Sequence, residues 1–187
     1  MARRFVPGSG CRSRPTAAEV SLSWAYRTCM SSQTGAFHAG DTVAAASLFA
    51  EVLAVDSSWC NLGFEPMDDD ETTVESAFFG FLAARGPANP LATVMASSHG
   101  RRPRPAQVGI QHRAGTKAAA QLREESLILP DGARVAQDHP RRGLVVEWSQ
   151  APDIAELVSW LFPAIRVLGR APTTQHVVYE WHGHSPR

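Results

Sequence analysis

Between residues 107 and 182 the apolar pattern switches between a period of two and a period of about 3.6 in a fixed order, and few folds accept that order. Gln107 to Arg113 reads as a strand. Gly115 to Leu127 reads as a helix with Ala118, Ala119 and Leu122 inward. Arg134 to Asp138 and Gly143 to Trp148 flank Pro140-Arg141-Arg142 as a hairpin. Pro152 and Asp153 open a helix whose stripe is Ile154, Leu157, Val158, Leu161, Ile165 and Leu168, with a kink expected at Pro163. Residues 176–182 close with Val177, Tyr179 and Trp181 on one side. The order βαββαβ predicts an α+β fold of ferredoxin-like type: an antiparallel sheet ordered 4-1-3-2 with two helices on one face.

Strand parity then assigns faces. Leu157, Leu161, Val146 and Tyr179 are expected in the core, while Gln111, Glu147, Glu180 and His182 line the opposite sheet face. That face is polar and acidic. It lacks the aromatic side chains with which the RNA-recognition module of the same order stacks bases, so sequence-specific RNA binding is not expected. Glu180 and His182, two apart on one strand, are the candidate catalytic pair, an acid–base couple in a cavity that Glu147 would share. The competing reading leaves both facing water near the chain end.

The N-terminal half is less regular. Residues 1–18, rich in Arg, Gly, Ser and Pro, read as a loose arm with some transit-peptide character. Val20, Leu22, Trp24 and Tyr26 alternate as a half-buried strand. Asp41 is placed to cap a helix bearing Ala45, Leu48, Phe49, Val52 and Leu53. Trp59 to Phe64 is apolar without a clear period, a second helix is expected from about Glu71 to Arg85, and Leu91 to Ala96 reads as a strand. The run Asp68-Asp69-Asp70-Glu71 suits a helix start, where carboxylates oppose the dipole, better than a cation loop. Residues 19–98 could be a degenerate copy of the plan in residues 99–187, and the two halves could form one compact domain.

Net charge is zero but unevenly placed. Residues 31–98 carry nine acids against Arg85, and residues 99–187 carry twelve basic residues against eight acids. In the expected topology, three basic segments share one end of the sheet: Arg101, Arg102 and Arg104; His139, Arg141 and Arg142; and the chain end with His182, His184 and Arg187. Such a pole would bind phosphate or carboxylate through bidentate arginine contacts. The bland counterpart is a solvated rim, or a dock for the acidic half.

A 44% hydrophobic, 19% charged chain of 187 residues can bury a core without staples. Arginine in place of lysine (Lys117 is the single lysine) points to a GC-rich, bacterial genome. Cys11, Cys29 and Cys60 are odd in number and scattered, as in a reduced cytoplasmic protein, and neither a metal nor a cofactor is expected. No segment has the length of a membrane span. The expected function is a binding or interaction module for an anionic small molecule or protein partner at the basic pole, with a homodimer as a further arrangement. The alternative is a small enzyme using Glu180 and His182.

Overall fold

Seven short segments pair into a single antiparallel sheet in the computed structural model, which describes residues 30–66, 91–112, 114–115, 117–169 and 173–184. In chain order the described elements are β1 (Met30–His38), α1 (Thr42–Ala54), β2 (Trp59–Pro66), β3 (Leu91–Met95), β4 (Ala106–Gln111), α2 (Ala118–Glu124), β5 (Ala133–His139), β6 (Gly143–Trp148), α3 (Ile154–Leu168) and β7 (Thr173–His184). The expected arm, the strand from Val20, and the helix at Glu71–Arg85 with its acidic start lie outside the described residues.

The sheet order is β1-β7-β2-β3-β4-β6-β5. Expected adjacency holds for β4, β6 and β5, with Ala106 opposite Trp148 and Ile110 opposite Leu144. It fails for β7. The last strand does not join β4 to complete a 4-1-3-2 sheet; it inserts between β1 and β2, pairing His182 with both Ser32 and Trp59. The β2–β3 pair then separates it from β4. Each half therefore contains a split β-α-β unit: β1-α1-β2 divided by β7, and β4-α2-β5 divided by β6. The strand that divides the first unit comes from the chain's end, whereas the one that divides the second follows it directly in the chain.

The three described helices cover one face. Their layer has α3 in the middle, touching α1 on one side and α2 on the other. Beneath them lie Cys60, Leu62 and Phe64 of β2, Ala92 and Val94 of β3, Val108 and Ile110 of β4, Leu144 and Val146 of β6, and Val177 of β7, all buried. Leu157 and Leu161 are fully buried, as the stripe predicts. Phe162 gathers the aromatic core, with ring centroids 5.9 Å from Phe37, 6.2 Å from Phe49 and 6.3 Å from Phe64. Tyr179 is only half-buried, since it lies over Gly35 of the edge strand β1.

Helix ends follow local chemistry. Asp41 accepts from Ala44 N at 2.9 Å and Asp153 from Glu156 N at 3.0 Å, each satisfying an orphan first-turn N–H. α3 continues through Pro163 to Leu168. The start of α2 is different. Lys117 stands there at φ 67° with no side-chain cap, and Asp138 of β5 accepts from Ala118 N at 3.1 Å and Ala119 N at 3.0 Å instead. A strand residue twenty positions away thus caps this helix. No described helix is long and apolar enough to cross a membrane.

Candidate functional site

Where β3 ends, its chain crosses to the α1–β2 turn before returning as β4. Ala96 N donates to Ser58 O at 2.9 Å and Ser57 N to Ser97 O at 3.1 Å. Ser98 and Arg104 then exchange backbone bonds at 2.9 and 3.0 Å, closing a loop of His99, Gly100, Arg101, Arg102 and Pro103. The loop is tied down at His99, whose backbone N and ring Nδ1 approach Asp56 Oδ1 at 2.9 and 3.0 Å. The His99 bonds hold the Asp56 carboxyl below its ordinary value. With Nδ1 donating to the carboxylate, Nε2 is the ring nitrogen left open toward solvent.

Two clefts flank this loop. The larger, about 570 Å³, lies toward the helices and includes His99, Arg104, Trp148 and Gln150 in its wall. The smaller, about 280 Å³, lies toward the open sheet face and includes Ser57, Trp59, Met95, Arg102 and Arg104. Ser98 and Arg104 belong to both. Among the described residues, neither wall contains a carboxylate. Trp148, almost fully buried, has an indole N–H that finds no acceptor among the described residues.

The expected basic pole is divided. β4 and β5 are parallel outer strands of a split unit, so β5 ends where β4 ends, and the hairpin after it lies at that end. Arg101, Arg102 and Arg104 precede the start of β4, at the opposite end. The length of β6, six residues at about 3.3 Å each, puts about 20 Å between the two arginine groups. His139 accepts from Arg141 N at 3.1 Å and shapes the hairpin turn, on the side of the sheet where β4 leads into His112. The end of β7 does share the arginine-loop end, through His182 opposite Trp59 and Trp59 opposite Met95.

Parity places Gln111, Glu147, Glu180 and His182 on the open face together, as expected. Glu180 Oε1 and His182 Nε2 approach to 3.0 Å, an ion-pair distance, though Nε2 is not aligned for a hydrogen bond. Glu147 does not join them. Four strand spacings, about 19 Å, separate β7 from β6. Glu147 is instead held by Arg134 in an ion pair and accepts from Gln107 Nε2 at 3.2 Å. Neither cleft is lined by Glu180, His182 or Glu147.

Two features of this end were not singled out by the sequence pattern. Trp59 opens β2 in a stretch with no readable period, and His182 stacks on it at 3.8 Å with 22° between ring planes. Asp56 belongs to a short Asp-Ser-Ser turn whose only sequence signal is its position after a helix. Cys60 is no nucleophile: burial, and then the Glu180 charge, push its thiol up to about 12. Comparison with protein-family models, curated proteins and solved structures yields no match for the chain.

Proposed function

We propose that the chain is a binding module that takes an anionic ligand at the end of the sheet where β3 turns into β4. The observation that carries this reading is the lining of the two clefts: Arg102 and Arg104 supply the cations, and among the described residues no carboxylate lines them. A guanidinium fork matches phosphate or carboxylate oxygens, and an acid-free wall leaves its charge unspent. Arg101 sits on the same loop, exposed. The Arg141–Arg142 hairpin, at the other end, is excluded from this site. The fold is read as an expanded form of the ferredoxin-like plan, in which the β2–β3 pair pushes the last strand outward and the arginine loop is its connection to β4.

A second reading, a small enzyme using Glu180 and His182, draws support from their 3.0 Å approach. Neither of the two clefts is lined by the pair, and Glu147, four strands away, does not supply the third carboxylate.

The test is calorimetric binding of inorganic phosphate to three proteins. Arg102→Ala/Arg104→Ala should lose binding and keep its thermal midpoint, because exposed arginines contribute little to folding. Arg141→Ala/Arg142→Ala should bind as the unaltered chain does. Affinity should fall with added salt. Equal loss in both double variants, or loss in neither, refutes the site.

A further inference from the structure

The smaller cleft has a wall that an anion alone does not require. Trp59 stands in it beside Arg102 and Arg104, half-buried, with one face of its ring already occupied by His182. Glu180 Oε1 lies 3.0 Å from His182 Nε2, on the side of β2 away from the arginine loop. An aromatic side chain at a cleft edge ordinarily loses rotamer freedom when a ligand settles on it. This one is fixed beforehand by a neighbour on the adjacent strand, so a planar ring can pack against it at small entropic cost.

Resting on the anion-binding reading above, we propose that the ligand is a nucleotide unit, with its phosphate on Arg102 and Arg104 and its base against Trp59. Stacking on an aromatic face supplies affinity that does not depend on which base is presented, since every base has a π-face. The cleft of about 280 Å³ shares Ser98 and Arg104 with the one of about 570 Å³, and it lies at the lower edge of the scale of small-ligand sites. In this arrangement Glu180 and His182 are positioning residues. They act through Trp59 and touch no ligand.

The experiment compares 5′-AMP with ribose 5-phosphate, which offers the same anion without a base. The unaltered chain should bind AMP roughly five- to hundredfold more tightly than ribose 5-phosphate. Trp59→Leu should reduce that preference to about twofold or less while leaving ribose 5-phosphate binding in place, which also reports that the variant is folded. His182→Ala should lower AMP affinity and spare ribose 5-phosphate, a split that a merely structural role would not give. A short polyuridylate that binds far more tightly than AMP, with the same dependence on Trp59, would assign the unit to single-stranded nucleic acid; parity with AMP assigns it to a free nucleotide. Equal affinity for AMP and ribose 5-phosphate overturns the ring subsite and leaves the anion site standing. Failure of both to bind overturns the two readings together.

Discussion

Replacing Gly143 by alanine should be the most damaging single-methyl change in the described sheet, and the geometry says by how much. Gly143 opens β6 at φ 83°, in the left-handed region that a Cβ penalises by about 1–2 kcal/mol. A Cβ there would also press into the carbonyl oxygen of Ile110, with its carbonyl carbon at 3.0 Å and Gln111 Cα at 3.2 Å. These are backbone atoms of the adjacent strand, so relief requires β4 to move away from β6 where Ile110 faces Leu144. Overpacking of this kind costs about 1–3 kcal/mol, for a total of about 2–5 kcal/mol. Gly132 is the internal control: at φ 71°, with nothing within 4 Å of its would-be Cβ, Gly132→Ala should cost only the conformational part, about 1–2 kcal/mol. Urea unfolding followed by circular dichroism measures both, from midpoints at unchanged slope. If Gly143→Ala costs no more than Gly132→Ala, the close approach of β4 and β6 is not as described, and the placement of the 140–142 hairpin weakens with it.

Two further outcomes are expected. Asp138→Ala should destabilise by about 0.5–2 kcal/mol and raise amide exchange at Ala118 and Ala119, because no other side chain among the described residues caps α2; exchange unchanged at both amides would refute the cross-strand cap. Asp56 has a folded carboxyl held below its ordinary value of 3.8, so the stability it lends to the arginine loop is present above that value and lost as pH falls through the lower folded one. The exchange protection of the His99 amide should therefore hold at neutral pH and vanish in acid, and Asp56→Asn should weaken it at all pH values; a His99 amide indifferent to both would refute the tie.

How much of this could be seen in the chain follows from what each residue's pattern reports. Parity was readable: alternation places Gln111, Glu147, Glu180 and His182 on one face because a strand's side chains have no other choice. The stripe from Ile154 to Leu168 was readable for the same reason, since a central helix packed between two others must bury a broad face. β1 was not. It is an edge strand paired on one side, and Ser32, Gln33 and Thr34 are all exposed, so no alternation marks it. Nor was the neighbour of β7. Periodicity says which way Val177 and Trp181 face and nothing about which strand lies beside them. β7 is twelve residues long and pairs along most of its length with both β1 and β2.

The same distinction explains the candidate sites. Glu180 and His182 needed only parity and strand spacing, and they meet. The basic pole needed strand direction, and direction is set by the crossover. A helix between β4 and β5 makes them parallel, so the hairpin that follows β5 must lie at the far end from the residues that precede β4. The pole therefore had to divide, whatever the charges. What remains at the near end is the loop carrying Arg101, Arg102 and Arg104, drawn onto the α1–β2 turn by Asp56, Ser57 and Ser58. Insertion of β7 next to β2 then brings His182 against Trp59, the residue through which the open face and the arginine loop touch. Two groups that look unrelated along the chain thus share one tryptophan.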